Sequence, residues 1–267
     1  MNVTIVTSEI NPQIKEMAAL LTPRGRKRGA TFLVEGFKIV REAALAGLAF
    51  SRMAVQNEYI ESDRTRELLR MEHLRDVPVL KVPRLLIKKL SSVETPQGIV
   101  AEVKRPAPQP AGPPKGGLSV ACECIQDPRN LGMLLRAAHA AGVAGIFLGE
   151  NSADHLHPHV VNSSAGSVFH LPVHPDAGLP ELIKGAKANG VKVWATAATG
   201  GTPLPDAATA GRGVMLLFGN EGAGLSPELE ALADEVVSIP MPGGAESLNI
   251  SVAAAVMLFY LVMKSKK

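Results

Sequence analysis

Residues 105–117 read RPAPQPAGPPKGG, five prolines and three glycines in thirteen positions. Proline lacks the amide that a helix or a central strand must donate, and glycine loses the most entropy in either, so no regular element runs through this stretch. It divides the 267 residues into an N-terminal domain, 1–105, a semi-extended linker, 106–117, and a C-terminal domain, 118–267. On both sides short β-branched runs alternate with helical periodicity. The first part predicts helices at 11–21 and 36–46 and strands at 31–35, 50–55 and 79–82. The second predicts strands at 118–125, 145–148, 191–197, 214–218 and 236–239, with helices at 131–141, 179–189 and 247–263. Both parts are therefore α/β, with helical crossovers joining mainly parallel strands. In such sheets ligands collect beyond the carboxyl ends of the strands.

Charge separates the two parts as clearly as the prolines do. Residues 1–117 hold 19 Lys and Arg against 12 Asp and Glu, a net of +7, whereas 118–267 hold 9 against 13, a net of −4. The basic part concentrates Arg24, Arg26, Lys27 and Arg28 between Pro23 and Gly29, which reads as a loop. A dense cationic loop fits a polyanion such as nucleic acid, with a merely solvated basic face as the alternative. A hydrophobic fraction of 46% with 20% charged residues excludes a disordered chain. The longest apolar run, 252–263, is twelve residues, short of the roughly 20 a membrane span needs, and reads as a buried helix. Cys122 and Cys124 are one residue apart on an expected strand, where they face opposite ways and cannot bridge. With no secretory leader evident in 1–10, the expected location is cytoplasmic.

Three stretches carry chemistry. The first, Gln126-Asp127-Pro128-Arg129-Asn130-Leu131-Gly132, follows a strand and opens a helix. Asn130 is expected as its N-cap, and Arg136 lies under two turns on, among Leu134, Leu135, Ala137 and Ala138. That apolar setting predicts a largely buried guanidinium with an anionic or hydroxyl partner. The second, LLFGNEGAGLSP at 216–227, is an apolar strand running into a glycine-rich turn, after which Ser226 and Pro227 open another helix. Its spacing is neither a dinucleotide fingerprint nor a phosphate loop, which sets aside a nucleotide-dependent dehydrogenase. Glu221 there disfavours phosphate and favours a cationic or hydroxyl-bearing ligand, unless it fixes its own loop. The third, IPMPGGAESLNIS at 239–251, is an irregular loop whose carbonyls and amides can read an adenine edge, with Ser247 and Asn249 at the next helix start.

Together these stretches resemble the three motifs of the SpoU/TrmH family of RNA ribose methyltransferases in the SPOUT superfamily: NLGMLLRAAHAAG, LLFGNEGAGLS and IPMPGGAESLNISVAAAV, in that order. SSAGSVFHLPV at 163–173 is also similar to the family, and TFLVEGFKIVREAALAG with SSVETPQGIVAEV resembles its small ribosomal-protein-like RNA-binding domain. The resemblance implies a C-terminal α/β domain with a deep trefoil knot, S-adenosylmethionine held in the knot, and homodimerisation through it, so that the RNA site spans both subunits. It implies cofactor contacts at Thr196, Ala197, Phe218, Gly219, Ile239, Met241, Leu248 and Asn249. It also implies catalysis around Arg136, with Asn130, Glu221, Ser247 and Asn249 shaping the site. Methyl transfer to a ribose 2′-hydroxyl needs alignment and loss of a proton. Arg136 is read as an electrostatic stabiliser, because arginine resists deprotonation, although a base role has family support. Ribosomal RNA is the expected substrate. The alternatives are tRNA, and a non-catalytic RNA-binding or ribosome-assembly protein, which would show erosion at Asn130, Arg136, Glu221 or Asn249. No metal is implied; His155, His157 and His159 alternate around Pro158 and read as a loop, and His139 reads as a packing residue.

Overall fold

The computed structural model describes residues 3–107, 112–209 and 212–265, without the side chains of Lys27 and Arg28. Residues 108–111 of the expected linker therefore lie outside the described residues. The chain forms two compact units, 1–107 with 156–169, and 108–155 with 170–267.

The first unit contains β1 (Val3–Ile5), α1 (Pro12–Ala19), α2 (Pro23–Arg28), β2 (Thr31–Glu35), α3 (Phe37–Leu45), β3 (Phe50–Gln56), α4 (Asp63–Arg70), β4 (Val79–Val82), α5 (Arg84–Leu90) and β5 (Ile99–Lys104). Its mixed sheet has the order β1-β4-β3-β5-β2; β1, β4 and β3 run parallel, and β5 is antiparallel to both β3 and β2. Ile14 and Met17 of α1 and Leu86, Ile87 and Leu90 of α5 pack in one core with Leu33, Ala54, Leu80 and Val100 of the sheet.

The basic cluster is one turn of helix rather than the expected loop. Thr22 caps α2, its hydroxyl accepting from the Gly25 amide at 3.1 Å, and Pro23 sits in the first turn, where its missing amide costs nothing. Residues two apart on a helix point to opposite sides. Arg24 is exposed, whereas Arg26 is turned inward at 4% exposure, its guanidinium donating to the Leu20 and Leu21 carbonyls at 3.3 and 2.7 Å. Arg26 thus stabilises the preceding turn and presents no charge to a phosphate.

The second unit runs through β6 (Gly117–Cys122), α6 (Pro128–Ala140) and β7 (Gly145–Leu148). It resumes after α7 (Pro158–Ser163) with β8 (Val173–His174), α8 (Leu179–Ala188), β9 (Lys192–Ala197), β10 (Thr202–Pro203), β11 (Gly213–Phe218), α9 (Pro227–Leu232), β12 (Glu235–Ser238) and α10 (Ile250–Lys264). Its seven strands are all parallel, in the order β10-β12-β9-β11-β6-β7-β8. Leu182, Ile183 and Ala186 of α8 and Leu229 of α9 pack on Val193, Met215 and Leu217. The alternating residues Val120, Trp194 and Leu216 are equally buried on the other face, and α6 packs against α10. Burial on both faces is what the continuous apolar runs of these strands require.

Segment 156–169 belongs with the first unit although the chain enters it from β7 and leaves it for β8. The Phe169 ring meets Phe32 at 6.1 Å. Glu35 gathers three side-chain donors, the Asn162 amide and the Ser91 and Ser92 hydroxyls, each at 2.5 Å. The His155–His159 stretch leads into α7 instead of a loop: His157 is the N-cap, its Nδ1 accepting from the His159 amide at 3.1 Å. His139 is exposed and stacks on His170 at 5.2 Å instead of entering the core.

Candidate functional site

At the carboxyl ends of β9, β11 and β12 a cavity of about 630 Å³ opens. Three loops build it. The first begins where β6 stops: Cys124 takes a left-handed backbone, φ 56°, which ends the strand before Ile125 and leaves Cys124 half-buried outside it. Cys122, fully buried on β6, has its thiol pushed up to about 12 by burial, with the Glu221 charge adding to the effect. It is a neutral core thiol.

Asp127, not Asn130, is the N-cap of α6. Its carboxylate accepts from the Arg129 amide at 2.7 Å and Pro128 takes the first helical position, so the helix starts three residues earlier than expected. Asn130, released from capping, turns to the other two loops. Its Nδ2 donates to Glu221 Oε1 at 3.2 Å, and its Oδ1 accepts from Asn249 Nδ2 at 2.8 Å.

The second loop is a closed turn. Asn220 and Gly224 exchange two backbone hydrogen bonds of 2.9 Å. The Asn220 side chain holds the turn from within, Oδ1 accepting from the Gly222 and Ala223 amides at 3.0 and 3.1 Å and Nδ2 donating to the Cys124 carbonyl at 3.0 Å. Glu221 accepts from the Gln126 and Asp127 amides at 3.4 and 3.3 Å. It therefore ties the second loop to the first, an interaction the sequence did not distinguish from a carboxylate serving its own turn. Ser226 caps α9 as expected, and its amide donates to Glu123 at 2.7 Å.

The third loop, 239–249, delivers Asn249 to the N-cap of α10, where its Oδ1 accepts from the Ser251 amide at 2.9 Å. Asn130, Glu221, Ser247 and Asn249 all line the cavity, as do Thr196, Ala197, Phe218, Gly219, Ile239, Met241 and Leu248. Arg136 does not. On α6 the residues Leu131, Leu134, Leu135 and Ala138 take the inward face, which leaves Arg136 exposed instead of buried. Among the described residues it has no hydrogen-bond or ion-pair partner. Asn220, Ala253 and Met257 line the cavity without having been singled out. The four-residue spacing of 249, 253 and 257 on one helical face was the available signal. Among the described residues no group of three potential metal ligands occurs.

Residues 117–259 match the SpoU rRNA Methylase family and residues 11–101 an MRM3-like substrate binding domain. The chain is 33% identical over 256 residues to the Bacillus subtilis 23S rRNA (guanosine(2553)-2'-O)-methyltransferase RlmP, spanning 96% of this chain and 98% of that one. It is similar in structure to an AdoMet-bound rRNA methyltransferase from Sinorhizobium meliloti, with TM-score 0.85, 30% identity and 99% of both chains covered. The SpoU methyltransferase AviRb from Streptomyces viridochromogenes, in complex with AdoMet, superimposes with TM-score 0.84 at 30% identity over 96% of this chain and 99% of that one.

Proposed function

The chain belongs to the SpoU rRNA methylase family, and from that we propose that it transfers a methyl group from S-adenosylmethionine to a ribose 2′-hydroxyl of ribosomal RNA. The observation that carries this reading is the convergence of the three motif loops on one cavity of about 630 Å³, the size of a cofactor site. The residues fit the group: Phe218, Leu248 and Met257 offer apolar faces, and the loop backbone supplies donors and acceptors for an adenine edge. When bound, S-adenosylmethionine supplies a methyl on a cationic sulfonium. Thr196, Ala197, Gly219, Ile239, Met241 and Asn249 would hold it beside Asn130, Glu221 and Ser247. Relatives that bear 23S rRNA names along nearly their whole length support ribosomal RNA over tRNA.

Arg136 stabilises the developing alkoxide or the adjacent phosphate, since a guanidinium does not give up its proton near neutral pH. Its exposure on α6, away from the cavity lining, fits a site that spans two subunits. Val252, Val256, Phe259 and Met263 of α10 recur at helical spacing and are 40–63% exposed, an apolar stripe suited to a homodimer interface. The C-terminal domain carries the deep trefoil knot of its superfamily, with α10 as the returning element. The Arg24 side supplies phosphate contacts, and the protein works in the cytoplasm. Incubating the protein with tritiated S-adenosylmethionine and ribosomal RNA, then mapping the label, tests the activity. Arg136→Ala should lower turnover by about 10²-fold or more while cofactor affinity stays near wild type. Wild-type turnover in that variant removes Arg136 from the reaction.

A further inference from the structure

The N-cap of α10 permits only one orientation of the Asn249 amide. The Ser251 backbone N–H can only donate, and it meets Asn249 Oδ1 at 2.9 Å, as does the Ser251 hydroxyl at 2.6 Å. Nδ2 is therefore the end that reaches Asn130 Oδ1, at 2.8 Å. That contact fixes Asn130 in turn, so its own Nδ2 donates to Glu221 Oε1 at 3.2 Å. Glu221, an acceptor only when ionised, also takes the Gln126 and Asp127 amides. The side-chain bonds run one way, from the start of α10 to Glu221, where they meet the Gln126 and Asp127 amides donating from the turn that precedes α6.

We propose that Asn249, Asn130 and Glu221 form a one-way hydrogen-bond relay through which the N-terminus of α10 sets the Gln126–Asp127 turn, with Asn130 and Asn249 acting as positioning residues. Its catalytic consequence rests on reading this cavity as the methyl-transfer site, but its polarity is a property of the free protein. A substitution that keeps shape and reverses polarity therefore breaks it. Asn249→Asp retains the cap, because aspartate caps as well as asparagine, yet it offers Asn130 no donor. Either two acceptors then face each other, or Asn130 turns over and sets its oxygen against the Glu221 carboxylate. Adding Glu221→Gln repairs the second case: the new amide donates to the turned Asn130, whose Nδ2 donates to the new carboxylate at 249. The oxygen of the new amide still accepts from the Gln126 amide, while the Asp127 amide, which shares the Asn130-facing position, loses its acceptor.

The test is amide hydrogen exchange at Gln126 and Asp127 in the cofactor-free protein, since among the described residues no hydrogen bond joins either one to Asn249 directly and a local packing defect at 249 leaves them unmoved. Asn249→Asp should speed exchange at both by about tenfold, the equivalent of one lost hydrogen bond. The double variant Asn249→Asp/Glu221→Gln should return most of that protection at Gln126, whose acceptor oxygen it keeps, and not at Asp127. Unchanged exchange in Asn249→Asp, or effects that simply add in the double variant, overturns the relay. Should Asn249→Asp fail to fold, Asn130→Asp reads the same polarity: alone it opposes two carboxylates, and Glu221→Gln should rescue exchange at Gln126. Additivity in that second cycle is equally fatal. A protein that passes both cycles and binds no S-adenosylmethionine keeps the relay and loses the proposed function instead.

Discussion

Gly219 is where the cavity's turn leaves β11, and the space around it sets the cost of a single methyl group. A Cβ on Gly219 would stand 2.0 Å from the Gly224 carbonyl carbon, 2.1 Å from the Leu225 nitrogen and 2.2 Å from the Gly224 oxygen. Favourable carbon contacts lie at about 3.5–4.0 Å, so the strand end and the returning turn would have to part by about 1.5 Å. All three obstructing atoms are backbone, and no rotamer change relieves them. Overpacking of this kind costs about 1–3 kcal/mol, which for a chain of this size lowers the thermal midpoint by about 2–12 °C. Parting also stretches the paired 2.9 Å bonds between Asn220 and Gly224, so cofactor affinity should fall with stability. Gly222→Ala is the control, because its Cβ would meet nothing closer than Asn220 Oδ1 at 3.6 Å. Scanning calorimetry and titration of S-adenosylmethionine measure both effects. If Gly219→Ala melts with Gly222→Ala and binds as tightly, the close-approach reasoning is refuted.

Other consequences follow from single contacts. Burial works to raise the Asp234 pKa, but the Val193 amide at 2.8 Å and Lys187 at 3.0 Å outweigh it and hold the carboxyl below its ordinary value of 3.8. A depressed folded pKa stabilises above the unfolded value and loses that contribution as pH falls through the folded one. Asp234→Asn should therefore cost stability near neutral pH and flatten the acid limb below about pH 4; parallel urea midpoints against pH for the two proteins would contradict this. Phe259→Glu places a charge in the apolar stripe of α10 and should yield a species near 28.1 kDa by light scattering where the parent gives twice that, and a dimeric variant would move the interface elsewhere. Arg24→Ala should reduce the slope of log RNA affinity against log salt by about one. Arg26→Ala should leave that slope alone and lower thermal stability, since its guanidinium serves the Leu20 and Leu21 carbonyls; the reverse pattern would place Arg26 on the RNA.

The sequence by itself determined what short-range chemistry can encode. Thirteen residues dense in proline and glycine separated two α/β parts. Period-2 and period-3.6 patterns located most strands and helices, because they record which side of an element is apolar. The three motif loops were legible because glycine-rich turns and capping residues directly after strands mark the carboxyl edge of a parallel sheet, and eleven of the twelve proposed site residues in this unit line one cavity there. Tertiary structure decided which partner each side chain takes. Asn130 looked like a cap until Asp127 and Pro128 took that role and freed its amide for Glu221 and Asn249, 91 and 119 residues away. Arg26 and Arg136 exchanged expected environments, one buried and one exposed, because composition shows a charge but not the rotation of the helix bearing it. The 156–169 segment joins the first unit by setting Asn162 against Glu35, 127 residues distant. No local pattern encodes that pairing; it is chosen only when packing brings both ends together, since a hydrogen bond depends on distance in space and a propensity only on neighbours in the chain.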